Sequence, residues 1–276
     1  MRKKLTLPKI IALDLDGTLL RSDHSISDRT VDTFKRIQAL GSIPVISTGR
    51  SYEALTVIKD RLGLQTPVIC YNGAMICDGR DGSVLHELCL PDDIAREVLQ
   101  ICRDKGVYFQ GFWAGQLYYE EKTAISDYYE AHTGLRGRIV NFDDWDSLEF
   151  TKVLLIGPPD RSSSTWPELD NIQKDVKERF GSRIYTAYSK PMYLEMIHGD
   201  SSKGHALKQL ADDMGILPSE IAAFGDGFND LEMLEYAEIS VAMANAPEEL
   251  KKRTAYTTVS NDEDGIADFL EKNFLQ

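Results

Sequence analysis

Asp14 and Asp16 stand two residues apart in the string Asp14-Leu15-Asp16-Gly17-Thr18. In extended chain, side chains at i and i+2 point to the same side. Two carboxylates so placed can attack an electrophile, hold a hard cation or exchange protons. Gly17 permits a sharp exit from a strand, and Thr18 can bond back to nearby backbone. A solvated acidic strand end would look the same, so the string needs partners before it means chemistry. Three further segments offer them. Ser47-Thr48-Gly49-Arg50 opens a helical pattern, where a hydroxyl and backbone N–H groups can cradle a phosphate. Ser201-Ser202-Lys203-Gly204 brings a lysine to another helix start, and Gly225-Asp226-Gly227-Phe228-Asn229-Asp230 brings a second acidic cluster to a glycine-rich turn. Taken singly these are an N-cap, a solvated lysine and a capped turn. Taken together they supply paired acids, a hydroxyl-bearing turn, a cation and further acids. Three carboxylates cannot gather around a phosphate dianion without a divalent cation and a fixed positive charge, for which Lys203 is the candidate.

The elements that must position these residues follow from hydrophobic periodicity. Residues 10–16, 43–47 and 67–71 are short, continuous apolar runs, as in strands buried on both faces. Between them, 28–40 and 51–62 carry apolar residues at helical spacing, and Gly41 ends the first helix. Residues 74–90 predict a hairpin turning at 78–82. The same strand–helix rhythm returns at 201–214 (helix), 220–225 (strand), 229–236 (helix), 239–243 (strand) and 264–274 (helix), with Pro247 at a further helix start. Residues 91–196 differ. Helices are predicted near 92–105, 122–133 and 165–180, and strands near 107–112, 116–121, 152–157, 183–188 and 192–197, several with one apolar and one polar face. The pattern is that of an α/β protein with a parallel-sheet core domain (1–90 and 197–276) and an inserted α+β domain (91–196). Each chemical segment is expected at the C-terminal end of a strand, where open α/β sheets bind ligands.

Composition narrows the function classes. The 276 residues suit one large or two modest domains. A formal net charge of −13 disfavours nucleic acid and anionic membrane as partners. Its richest basic run, Lys251-Lys252-Arg253, fits a solvated helix end. No apolar run approaches the roughly 20 residues of a membrane helix. The start, MRKKLTLPKIIALDLDG, is broken by Pro8, Lys9, Asp14 and Asp16 and lacks a cleavage signal, so a cytoplasmic protein is expected. Cys70, Cys77, Cys89 and Cys102 form no close pair and are expected as buried free thiols. A calcium loop is excluded at 225–230 by its spacing, and a P-loop ATPase by the absence of G-x-x-x-x-G-K-[ST].

The full set of motifs resembles the haloacid dehalogenase superfamily, and most closely its Cof-type phosphatases, which carry a large α/β cap between the second and third motifs. The resemblance spans nearly the whole chain. It includes Pro67-Val68-Ile69-Cys70-Tyr71-Asn72-Gly73-Ala74, the run Tyr193-Leu194-Glu195-Met196 and the place and length of the insertion, with Cys70 and Tyr71 as tolerable variation. The resemblance implies a Rossmann-like core with Asp14 as nucleophile, forming an aspartyl-phosphate, and Asp16 as acid and base. It implies that Thr48 and Gly49 bind the transferring phosphoryl group and that Lys203 neutralises it and orients Asp14. It further implies that Mg²⁺ is held by Asp14, Asp226 and the backbone carbonyl of Asp16. Asn229 would contact the phosphoryl group or the ion's inner shell, and Asp230 would support Lys203 or a metal-bound water.

Hydrolysis is favoured because Asp16 supplies the group that an aspartyl-phosphate needs to turn over in water. An inserted domain can also exclude bulk water during chemistry. The expected substrates are small phosphorylated metabolites: sugar phosphates, flavin mononucleotide, pyridoxal phosphate or a riboflavin-pathway intermediate. No nucleic acid, membrane or obligate protein partner is inferred. A sugar phosphomutase and a non-catalytic phosphometabolite-binding protein are the alternatives. Trp113, Tyr118, Tyr119, Tyr128, Tyr129, Arg136 and Arg138 of the insertion could meet a leaving group, though most of the aromatic side chains are expected to pack its own core.

Overall fold

The structure, a computed structural model, describes residues 5–158 and 166–275. Two compact units emerge: Met1–His86 with Ser202–Gln276, and Glu87–Ser201. In chain order, the first stretch holds β1 (Ile10–Leu13), α1 (Asp28–Ala39), β2 (Ile43–Ser47), α2 (Thr56–Leu62), β3 (Val68–Cys70), β4 (Met75–Cys77) and β5 (Val84–Glu87). The second unit holds α3 (Asp92–Lys105), β6 (Tyr108–Trp113), β7 (Gln116–Tyr119), α4 (Ala124–Thr133), β8 (Gly137–Ile139), β9 (Lys152–Ile156), α5 (Pro167–Phe180), β10 (Ile184–Lys190) and β11 (Tyr193–His198). The chain then returns with α6 (Lys203–Met214), β12 (Ile221–Gly225), α7 (Leu231–Tyr236), β13 (Ile239–Ala242), α8 (Glu248–Lys251), β14 (Tyr256–Thr257) and α9 (Gly265–Phe274).

The sheet of the first unit runs β14-β13-β12-β1-β2-β3-β4-β5. From β14 to β3 every pair is parallel, and β4 then pairs antiparallel with β3. Ile10, Ile11, Ala12 and Leu13 are all fully buried, which is why β1 reads as an unbroken apolar run. Register aligns the strand ends: Leu13 sits opposite both Ile46 and Phe224, and Gly225 opposite Ala242. The loops that leave β1, β2, β12 and β13 therefore start from one edge of the sheet. Helix α1 begins at Ser27, whose hydroxyl accepts the Thr30 N–H, and buries Val31, Phe34 and Ile37. The α6–α7 layer buries Leu207, Leu210, Met233 and Leu234 against Ile10, Ala12 and Val45.

The second unit has its own six-stranded sheet, β10-β11-β9-β6-β7-β8. Its pairs are antiparallel except β7 with β8. One face packs Phe109, Val153, Leu155, Leu194 and Met196 against Ile94 and Val98 of α3 and Ile172 and Val176 of α5. Phe109, Phe142 and Phe150 meet edge to face at 5.2–5.8 Å between centroids. Tyr118, Tyr119 and Tyr129 are buried in this unit, as expected of core aromatics, while Trp113 is exposed.

Several boundaries differ from the sequence pattern. β1 stops at Leu13 instead of Asp16, because the backbone turns there and the N–H groups of Thr18 and Leu20 both bond to the Leu15 carbonyl. The segment 51–62 is a 3₁₀ turn at Glu53–Leu55 followed by α2, and no side chain caps either start. β8 and β14 have three and two residues, too short to show an alternation. Residue 165, at the expected start of a helix, lies outside the described residues, and α5 begins at Pro167. Cys70, Cys77 and Cys102 are buried and outside any disulfide, but Cys89 is only half-buried. Among the described residues no helix is long and apolar enough to cross a membrane.

One buried acid in the second unit is kept charged by its neighbours. Glu130 accepts from the Gly137 N–H at 2.8 Å, the Tyr119 hydroxyl at 2.9 Å, and Lys122 and Arg136 at 3.1 Å. The Gly137 N–H foremost, with these partners, lowers its carboxyl from 4.5 to about 2. A lowered folded-state pKa contributes stability that is complete above pH 4.5 and is lost as pH falls toward 2. Glu130→Gln is expected to cost about 1–3 kcal/mol at neutral pH and to flatten the stability profile across that window. Urea unfolding of both proteins as a function of pH checks this, and parallel profiles would contradict it.

Candidate active site

Asp14 directly follows β1 and is 6% exposed. Its Oδ1 lies 2.5 Å from the Lys203 ammonium, which also reaches Asp230 Oδ1 at 2.6 Å. Lys203 is itself 1% exposed, and a lysine is buried so completely only when paired. It is the first residue of α6, where Ser202 caps the helix by accepting the His205 N–H. Gly73 explains how that start is held. Its φ is +98°, and a Cβ there would stand 2.1 Å from the Ser202 carbonyl oxygen. Only glycine lets the turn after β3 approach the backbone that carries Lys203. Burial raises the Asp14 carboxyl to about 7, with Lys203 pulling the other way. Burial also works against the Lys203 charge, but Asp14 and Asp230 outweigh it and hold the group above the usual lysine range.

The second acidic cluster follows β12. Asp230 is fully buried, and its Oδ2 accepts the N–H groups of Asp226 and Gly227 at 3.0 and 2.9 Å. With Lys203 on its other oxygen, Asp230 ties the lysine to the Asp226 loop. Asp226 accepts from the Thr18 hydroxyl at 3.0 Å on Oδ1 and from Asn245 at 3.3 Å on Oδ2. Burial raises its pKa above the usual carboxylate value. Gly17 is pressed against it: with φ +83°, an added Cβ would lie 2.3 Å from Asp226 Oδ2. One carboxylate oxygen from each of Asp14, Asp226 and Asp230 falls within 4.8 Å of the others. These are hard oxygen donors gathered around one ammonium, and that donor set fits a divalent metal ion of the magnesium class. Because Asp230 is already spent on Lys203 and two backbone N–H groups, Asp14 and Asp226 are the side chains best suited to hold it.

A third group lines the loops after β2 and β3. Thr48 is buried, donates its N–H to Ile69 and accepts the Asn72 N–H at its carbonyl. Gly49 lies against the Asn72 amide, which an added Cβ would meet at 3.1 Å. Asn229 donates to Asn72 Oδ1 at 3.3 Å. Thr48, Gly49, Asn72 and Asn229 thus form one polar wall. Asp16 stands apart from the carboxylate cluster: it is half-exposed, and Arg50 grips both its oxygens, through Nε at 2.9 Å and through Nη2. The His24 ring stands 3.8 Å from Asp16.

The structure brings Asp14, Lys203, Asp226 and Asp230 into direct contact and joins Gly49 to Asn229 through Asn72. Lys203 stands at a helix start, as the pattern has it. One expectation changes: Thr48 and Gly49 do not open a helix directly, because regular helix begins only at Thr56. Three side chains at the site have no role assigned by the sequence pattern, Arg50, Asn72 and Asn245, and the Thr18 hydroxyl, expected to bond back to nearby backbone, donates to Asp226 instead. Asn72 carried a signal, since Asn-Gly marks a left-handed turn, and its φ is 53°. Asn245 carried none.

Comparison with known proteins follows the same line. The haloacid dehalogenase-like hydrolase family model matches residues 11–270. The chain is 30% identical over 274 residues to the 5-amino-6-(5-phospho-D-ribitylamino)uracil phosphatase YitU of Bacillus subtilis, covering 98% of both chains. It is 27% identical to the pyridoxal phosphate phosphatase YbhA of Escherichia coli, over 97% of this chain and 99% of that one. A crystal structure of a haloacid dehalogenase-like hydrolase from Bacteroides thetaiotaomicron superposes with a TM-score of 0.83 at 28% identity, covering 97% of this chain and 100% of the other.

The buried cation is open to a direct test of its energetic weight. Lys203→Met removes the ammonium between two buried carboxylates and is expected to cost about 3–5 kcal/mol. Lys208→Met breaks an exposed pair with Asp212 and is expected to cost less than about 1 kcal/mol. Urea midpoints at neutral pH separate the two, and equal effects would contradict the account.

Proposed function

The chain belongs to the haloacid dehalogenase-like hydrolases, and from that membership we propose that it is a magnesium-dependent phosphatase of small phosphomonoesters. The observation that carries this reading is the buried Lys203 ammonium on Asp14, beside Asp226 and on the same sheet edge as Thr48. Lys203 holds one Asp14 oxygen, which leaves the other as nucleophile. That oxygen attacks phosphorus, the bond to the leaving oxygen breaks, and the alcohol departs with a proton from Asp16. The Arg50 clamp must loosen for Asp16 to deliver that proton. Water then attacks the aspartyl-phosphate, Asp16 takes its proton, and Asp14 and inorganic phosphate are regenerated. Thr48, Gly49 and Asn229 bind the phosphoryl oxygens, with Asn72 holding Asn229. Mg²⁺, when bound by Asp14, Asp226 and the Asp16 carbonyl, supplies neutralisation of the charge that gathers on the transferring group.

Residues 91–196 are proposed as the cap that sets substrate choice. The names of YitU and YbhA support a leaving group built on a polyol or a small heterocycle. Sugar phosphates, flavin mononucleotide, pyridoxal phosphate and riboflavin-pathway phosphates are therefore the first panel. The acidic net charge and the free thiols support a cytoplasmic setting.

The test is release of inorganic phosphate from that panel, with Mg²⁺ and with chelator. Activity is expected only with the ion, and Asp14→Asn is expected to lower kcat on the order of 10³-fold or more. Turnover unchanged in Asp14→Asn would sink the proposal. Phosphate moved to another hydroxyl without release would favour a phosphomutase.

A further inference from the structure

Asn245 lies just beyond β13, on the sheet edge that carries the acidic loops. Its side-chain amide makes three hydrogen bonds. Nδ2 donates to the Gly17 carbonyl at 2.8 Å and to Asp226 Oδ2 at 3.3 Å. Oδ1 accepts the Asn261 N–H at 3.2 Å. Two acceptors facing one end and a donor facing the other fix which atom is nitrogen. Asn261 is itself buried and donates to the Leu20 carbonyl at 2.9 Å. The first acidic loop is thus pinned at Gly17 and again at Leu20, and the first pin is shared with Asp226.

The chemistry of a metal-ligating carboxylate gives this arrangement its meaning. A carboxylate turns freely about its last bond unless donors hold the lone pairs that face away from the ion. Asp226 has one hydrogen-bond donor on each oxygen, Thr18 on Oδ1 and Asn245 on Oδ2. Thr18 belongs to the opposing loop itself, whereas Asn245 bridges that loop and Asp226 from a third segment, so it helps set the spacing between Gly17 and Asp226 as well as the carboxylate's tilt. An aspartate at 245 would lose both donated bonds and add a repulsive charge, so the amide is the group this position requires.

We infer that Asn245 is a positioning residue for the divalent-cation site, orienting Asp226 against the Gly17 loop and so setting the affinity for the ion. The inference rests on Asp14 and Asp226 being that site. The experiment is titration of Mg²⁺ into the metal-free full chain by calorimetry, for wild type, Asn245→Ala and Thr18→Val. Alongside it, melting temperature is recorded with and without Mg²⁺. Wild type is expected to bind, and Asn245→Ala to bind about 10–100-fold more weakly with a smaller Mg²⁺-induced rise in melting temperature. Thr18→Val, which strips the other oxygen, is expected to weaken binding in the same way. In turnover, the Mg²⁺ concentration for half-maximal rate should rise, while KM for substrate at saturating Mg²⁺ stays put. If Asn245→Ala melts lower without metal yet binds Mg²⁺ as tightly as wild type, the residue is a loop clasp only and the inference is overturned. If wild type binds no Mg²⁺, the cation site itself falls, and the inference with it.

Discussion

The rest of the site depends on one buried ammonium. Lys203 is enclosed between Asp14 and Asp230, and neither carboxylate has another cation within a salt bridge among the described residues. A charge so enclosed is tolerable only while its partners stay in place. That requirement reaches outward. Asp230 must hold the Asp226 loop through two N–H groups, Ser202 must cap α6, and Gly73 must press its turn against the Ser202 carbonyl. Removing the lysine would leave two carboxylates facing each other in a buried setting. Asp14 is therefore oriented by the same contacts that fasten the first strand to the returning half of the chain.

Charge balance then assigns the remaining groups. Three carboxylates and one ammonium leave the cluster net negative, and a phosphate dianion would add to that. A hard divalent cation would resolve the conflict, and the Asp226 side chain is held by hydrogen bonds from two directions, Thr18 and Asn245. Asp16 lies outside this balance. It is gripped by Arg50 at a half-exposed position, where the proposed exchange of protons with a departing alcohol and an incoming water has room to occur.

Much of the fold was legible because buried parallel strands are continuous apolar runs: Ile10–Leu13, Ile43–Ser47 and Ile221–Gly225 are the elements expected at those places. The site was legible for a similar reason. Acids, hydroxyls and glycines at strand ends form a combination unusual enough to stand out in the amino-acid sequence by itself. What stayed hidden has physical causes. The strand that leads to Asp14 ends early because a backbone turn, invisible in hydrophobicity, captures the Leu15 carbonyl. Edge strands of two or three residues are too short to carry a pattern. Asn245 and Arg50 act through partners 228 and 34 residues away in sequence, Gly17 and Asp16, and spacing along the chain says nothing of contacts that only the sheet creates.

The central claim is that the oxygen of Asp14 left open by Lys203 is the one that takes the phosphoryl group. Rapid acid quench during turnover of a phosphomonoester, followed by peptide mapping, measures this directly. The account predicts one phosphoryl group on the peptide containing Asp14, accumulating with Mg²⁺ and absent from Asp14→Asn. A phosphoryl group on another residue, or steady turnover with none on Asp14, would contradict it.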